Sequence, residues 1–249
     1  MCWIISTDFI LTRIPDKTYS EDLMNKTLIT AHNGADGTPE GSLEYIRHAL
    51  STDADVLEID IRRLPDGTLI FAHDEPVSTA SQVTIESVFQ CVYDTPKLIN
   101  CDLKEPGLET VVYSLAEKCG VEKQLIYSGT VCASHCQETN LNRKVRIALN
   151  IERYVPDLYA RCLRDPIQTI QAADAISIVC TRYGIECVNS NYHVATEPFI
   201  DILEKNGLQL SVWTVNDLSD VRFFLQRGIY NITTRNLRQV LSLAGTVKN

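Results

Sequence analysis

Short β-branched runs alternate with helical stretches from residue 27 almost to the end of the chain, which is the order of a parallel sheet with crossover helices. Strands are expected at 27–31, 56–64, 97–103, 124–127, 145–150, 186–189, 209–214 and 230–233. Helices fill the gaps: one runs from near Pro39 and Ser42 to Leu50, and others span 85–92, 108–119 before Gly120, 199–206 before Gly207 and 218–227 before Gly228. The Asp66-Gly67 pair marks a tight turn returning the chain into 69–73, so that arm reads as a hairpin rather than a crossover. Eight parallel strands is the number at which a TIM (β/α)8 barrel closes, and that is the α/β fold expected.

A chain of 249 residues with 45% hydrophobic composition can bury one such core, so a single barrel domain is expected at 27–249 behind an N-terminal arm at 1–26. The opening MCWIISTDFILTRIPDK is apolar, but it lacks a basic stretch and a small-residue cleavage site and carries Asp8. It is therefore not read as a signal peptide. No run approaches the roughly 20 apolar residues needed to span a bilayer. A net charge of -9 argues against nucleic acid or an anionic membrane as partner. The nine cysteines are odd in number and scattered through apolar segments, as small buried hydrophobes are in a reducing compartment, and the cytoplasm is expected. Cys132 and Cys136 flank His135, yet no second pair has ligand spacing, so no structural metal is assigned there. The oligomeric state is not legible.

Barrel enzymes place their chemistry at the C-terminal ends of the strands. His32 ends the first expected strand, Glu58 and Asp60 lie in the second, His73 ends the hairpin arm, and Asp102 and Lys104 end the next barrel strand. Residues two apart on a strand share a face, so Glu58 pairs with Asp60, and Asp102 with Lys104. Acids turned into a barrel need a positive partner. A bland ion-paired network of Glu58, Asp60, Arg62 and Lys104 would serve, but the whole set at successive strand ends better suits a hard cation, Mg²⁺ or Ca²⁺ with Mn²⁺ as a third choice. Two imidazoles flanking such a centre can move protons on either side of a phosphodiester, the small-molecule substrate class expected.

The stretches AHNGADGTPEGSLEYIRHAL and DADVLEIDIRRLPDGTLIFAHDEP resemble the opening of the glycerophosphodiester phosphodiesterases. INCDLKEP, SVWTVND and GIYNITTRNL resemble later segments of that family, in the same order. The resemblance implies a TIM-barrel hydrolase that converts glycerophosphodiesters to glycerol 3-phosphate and an alcohol with a divalent cation. It implies that Glu58, Asp60 and Asp102 hold the metal, that His32 and His73 are general base and general acid, and that Lys104 neutralises the phosphate. Glu40 would orient the substrate or His32, and Trp213 would line the pocket.

Four departures stand out. Asn33 follows the first histidine where the family usually has Arg; it is expected to reach the substrate through hydrogen bonds, with Lys104 and the metal supplying the missing charge. The interval from His73 to Asp102 is short, Asp102 replaces a commoner Glu, and Thr234 stands where Asp often follows the last strand. Rival readings are a related lysophospholipid or headgroup phosphodiesterase working by intramolecular transfer, and a non-catalytic barrel that only binds phosphodiesters.

Overall fold

The computed structural model describes residues 26–75, 82–155, 157–162 and 166–247. In chain order they form β1 (Leu28–Ala31), α1 (Leu43–Leu50), β2 (Val56–Arg63), β3 (Leu69–Phe71), α2 (Ile85–Val92), β4 (Leu98–Leu103), α3 (Glu109–Cys119), β5 (Leu125–Gly129), α4 (Ala133–Glu138) and β6 (Arg146–Asn150). Then come α5 (Leu158–Cys162), α6 (Pro166–Tyr183), β7 (Cys187–Asn191), α7 (Glu197–Lys205), β8 (Gln209–Trp213), α8 (Leu218–Arg227), β9 (Asn231–Thr234) and α9 (Leu237–Val247). All but β3 run parallel in one ring, which closes because β1 pairs with both β2 and β9. The chain is a (β/α)8 barrel, as expected. β3 folds back antiparallel on β2 with Phe71 opposite Ile61, and Gly67 takes the left-handed φ of +92° that the turn between them requires.

Three of the helices, α1, α2 and α8, begin at side-chain caps that the sequence offers. Ser42 accepts the amide of Tyr45, Thr84 that of Ser87 and Asp217 that of Ser219, each such cap stabilising its helix by roughly 1 kcal/mol. Gly120 and Gly228 end α3 and α8 in the left-handed conformation. The helices pack on the outward strand residues, among them Leu57, Ile59, Ile61, Ile99, Cys101 and Leu103, all fully buried.

The inward residues, two apart along each strand, divide the barrel interior in two. Its lower half is an apolar plug of Leu28, Val56, Leu98, Ile126, Ala148, Cys187 and Tyr230. One step up each strand the inward side chains turn polar, with Thr30 bonded to Asn231 at 2.6 Å and Asn231 bonded to Ser211 at 3.0 Å. The apolar half supplies the burial that closes the barrel, and the polar half forms a floor beneath the C-terminal mouth.

The arm expected at 1–26 lies outside the described residues except for Lys26, which pairs with Asp55. Among the described residues no helix is long and apolar enough to cross a membrane.

Candidate active site

The mouth opens into a cavity of about 600 Å³. Its lining includes His32, Glu58, His73, Asn100, Asp102, Lys104 and Trp213, drawn from β1, β2, β4 and β8, the hairpin strand β3 and the turns that follow them. Parallel pairing of β2 with β4 sets Glu58 beside Asn100 and Asp60 beside Asp102. Oxygens of Glu58, Asp60 and Asp102 consequently lie within 4.8 Å of one another.

Lys104 is the internal counter-charge. Its Nζ lies 2.7 Å from Asp60 Oδ1 and 2.7 Å from Asp102 Oδ2. Burial works against charge on Asp60, but this ion pair, with hydrogen bonds from Lys104 and Asn33, holds its carboxyl below the usual range. Burial pushes Asp102 up in spite of Lys104, and burial together with Asp60 and Asp102 pushes Glu58 well up. Lys104 itself is raised: its own burial opposes this, and Asp102 and Asp60 outweigh it. Three acids and one ammonium leave the cluster short of positive charge. Arg62, the other cation of the bland network, turns away and bonds the His73 carbonyl at 2.8 Å.

The backbone locks this cluster in place. Tyr45, fully buried on α1, sets its hydroxyl 2.7 Å from the Ala31 carbonyl and 2.9 Å from that of Glu58, pinning β1 against β2 behind the acids. Gly129 at the end of β5 has a φ of +77°, and a Cβ built on it would overlap Asp102 Oδ1. A residue without a side chain is therefore needed there for the acid to keep its position.

Asn33 requires a correction. It is 1% exposed and does not reach the cavity; its amide donates to Asp60 Oδ2 at 2.7 Å, its carbonyl oxygen accepts Gly41 N at 2.9 Å, and its backbone N–H donates to Glu58 Oε2 at 2.8 Å. It orients the acids from behind. Burial lowers the pKa of His32, the Asn33 carbonyl opposing and Arg235 adding to that effect. His73 sits half exposed at the rim, with Nδ1 2.9 Å from Asp74 Oδ1. Trp213 meets Tyr159 edge-on, ring centroids 6.3 Å apart, on the far side of the mouth. Glu40 is not itself part of the cavity lining; its Oε1 lies 2.7 Å from Nη2 of Arg235, which is.

Arg235 is the residue that the sequence reading missed. It follows β9, lines the cavity and donates from Nε to His32 Nδ1 at 2.9 Å. Thr234 is buried, and its backbone oxygen accepts His32 N at 2.9 Å, so the last strand holds the first histidine from beside it.

No protein-family model matches the chain. A glycerophosphodiester phosphodiesterase of Caldanaerobacter subterraneus is 22% identical to it over 255 residues, covering 88% of this chain and 98% of that protein. The chain is a relative of the glycerophosphodiester phosphodiesterases. The resemblance read from the motifs is thus borne out, and the fold agrees. A glycerophosphodiester phosphodiesterase crystal structure from Parabacteroides distasonis matches with a TM-score of 0.72 at 14% identity, covering 90% of this chain and 99% of that one. An Oleispira antarctica phosphodiesterase, solved with the product sn-glycerol-3-phosphate, matches with a TM-score of 0.67 at 13% identity, covering 88% and 97%. In this chain the barrel carries its acids on β2 and β4 and its histidines around one mouth.

Proposed function

We propose that this cavity hydrolyses glycerophosphodiesters to glycerol 3-phosphate and an alcohol, with a divalent cation held by Glu58, Asp60 and Asp102. The observation that carries the reading is the convergence of three carboxylates from adjacent strands, with the imidazoles of His32 and His73 lining the same cavity. Kinship with a phosphodiesterase of that name supports the reaction class.

The donor set fits a hard cation. Besides the three acids, Asn100 Oδ1 is buried at the cavity lining and has no hydrogen-bond partner among the described residues. A buried oxygen left unpaired is unfavourable, and a cation would satisfy it while relieving the crowding that raises Glu58. Mg²⁺ and Ca²⁺ suit these ligands best, with Mn²⁺ next. When bound, such an ion withdraws charge from a non-bridging phosphate oxygen and makes a hydroxyl more acidic.

The chain's own groups do the rest. His32, kept neutral by burial, takes the proton from the nucleophile, either water or the glycerol hydroxyl beside the ester. His73, at the open rim, protonates the departing alkoxide where it meets solvent. Lys104 holds Asp60 and Asp102 in register. Trp213 offers an indole face to the alcohol moiety. The cytoplasm remains the proposed compartment, in keeping with the seven free cysteines among the described residues.

The test is turnover of glycerophosphocholine with Mg²⁺, Ca²⁺ or Mn²⁺ by wild type, His32→Ala and His73→Ala, with the products separated. Metal-dependent release of sn-glycerol 3-phosphate, lost in both variants, is expected. A stable cyclic phosphate would transfer the reading to the intramolecular route. A wild type that binds without turnover would make the barrel a binding module.

A further inference from the structure

His32 Nδ1 faces two groups that need opposite things from it. Arg235 Nε is 2.9 Å away, and a guanidinium is always protonated, so its N–H donates and Nδ1 must accept. The Asn33 carbonyl is 3.1 Å from the same nitrogen and can only accept, so it forms a hydrogen bond only when Nδ1 carries a proton. One imidazole nitrogen cannot satisfy both. With Arg235 in place the neutral ring keeps its proton on Nε2, and its one lone pair, on Nδ1, is taken by the guanidinium and not open to a nucleophile.

The cavity also needs a cation for phosphate. Among the described residues its lining holds three Lys and Arg side chains, Lys104, Arg153 and Arg235. Lys104 is already shared between Asp60 and Asp102. Arg153 follows β6, four strands from β1 in either direction around the ring, and so lies across the mouth from His32. Arg235 follows β9, next to β1, and its other anchor is Glu40. Those two side chains are 43% and 49% exposed, and an ion pair so open to solvent holds weakly. A phosphate offers the same guanidinium a two-point, charge-assisted contact.

We infer that Arg235 is a phosphate-binding residue that leaves His32 Nδ1 and Glu40 for the substrate's phosphate, and by leaving releases His32 into the tautomer that can act as base. On release, one proton leaves Nε2 to water and one is taken from water at Nδ1, where the Asn33 carbonyl accepts its hydrogen bond. The ring stays neutral and Nε2 gains the lone pair. The charge absent at Asn33 is thus returned from the opposite end of the chain, and the base is armed only when an anion is present. This rests on the proposed phosphodiesterase reading, which it deepens.

The test is binding and ¹⁵N-histidine spectroscopy on the full chain in Ca²⁺ buffer, with sn-glycerol 3-phosphate as probe. In wild type, His32 Nδ1 is expected at an unprotonated shift without the probe and at a protonated one with it. In Arg235→Met, Nδ1 is expected to be protonated from the start, and probe affinity to fall about tenfold or more, the loss expected for one charge-assisted contact. Arg235→Lys, which keeps charge but not the fork, is expected to fall between them and guards against a folding defect in the Met variant. Unchanged probe affinity in both variants, or a wild-type Nδ1 shift indifferent to the probe, overturns the inference even if wild type hydrolyses glycerophosphodiesters. Loss of kcat at unchanged affinity also overturns it, by making Arg235 a prop for His32 alone. A wild type that neither binds the probe nor hydrolyses the diester brings down the functional reading and this inference together.

Discussion

Glu58→Gln should make the metal-free protein more stable while removing its function. Oxygens of Glu58, Asp60 and Asp102 lie within 4.8 Å of one another. At an effective dielectric near 20, two full charges at that distance repel by about 3.5 kcal/mol. Glu58 faces two such neighbours and is helped by one ammonium, so its ionised form carries roughly one unrelieved repulsion. Partial protonation of the wild-type acid already recovers some of this, leaving an expected gain of about 1–3 kcal/mol for the isosteric amide, or roughly 3–10 °C in Tm for a chain of this size. The amide oxygen can still accept the Asn33 N–H. The sign follows from the raised carboxyl. Because the folded state binds that proton more tightly than the unfolded chain, the penalty is absent below the ordinary carboxylate range and grows as pH rises through the folded value. The depressed Asp60 works the other way, giving stability that is lost on acidification, but it is common to both proteins and largely cancels in their difference. Unfolding would be followed under chelation at pH 4 and pH 8. The variant should be the more stable at pH 8 and close to wild type at pH 4. With Ca²⁺ at about 1,000 times its wild-type Kd the order should reverse, since wild type alone gains about 4.1 kcal/mol. A variant no more stable than wild type at pH 8 under chelation, or a gap independent of pH, would refute the crowding argument.

Gly129→Ala forces a side chain into left-handed backbone, onto Asp102 Oδ1 and within 2.7 Å of the Leu103 oxygen. A loss of about 2–4 kcal/mol in denaturant unfolding is expected, with Ca²⁺ affinity by calorimetry falling at least tenfold as Asp102 is displaced. Asn33→Ala strips Asp60 and the Gly41 amide of buried partners and should destabilise by about 2–3 kcal/mol. Because Asn33 stands behind the acids, its loss should weaken Ca²⁺ binding more than the affinity for glycerol 3-phosphate; the opposite ranking in calorimetry would return Asn33 to the substrate.

The barrel was legible because its parallel strands are short, largely apolar and often β-branched runs set between helical stretches, and because eight is the number at which the ring closes. The acids were legible because i, i+2 spacing on a strand is a geometric fact once the strand is known. What a strand end faces was not legible. Asn33 and His32 are neighbours in sequence, yet the chain turns between them, so one points behind the acids and the other into the cavity. Arg235 is 203 residues from His32, and no local pattern links them. The contact arises when the ring closes β9 onto β1, and it is fixed by bonds among three mouth loops, Asp36 N to the Arg235 carbonyl at 2.8 Å and Arg235 N to Asn216 Oδ1, in the loop after β8, at 2.9 Å.

The short acid on β4 and the bare residue at the end of β5 form one feature. Asp102 sits opposite Ser128 in the β4–β5 pairing, with Gly129 one step further along, and Asp102 Oδ1 fills the space that a Cβ at Gly129 would take. A longer acid at 102 would carry its carboxylate past that niche toward the centre of the cavity, and Lys104, 2.7 Å from both Asp60 and Asp102, would have to choose between them. The exchange of Glu for Asp therefore sets more than the reach to a metal. It lets one ammonium serve two carboxylates, which leaves Glu58 as the acid without a strong partner and makes it the carboxylate with most to gain from a cation.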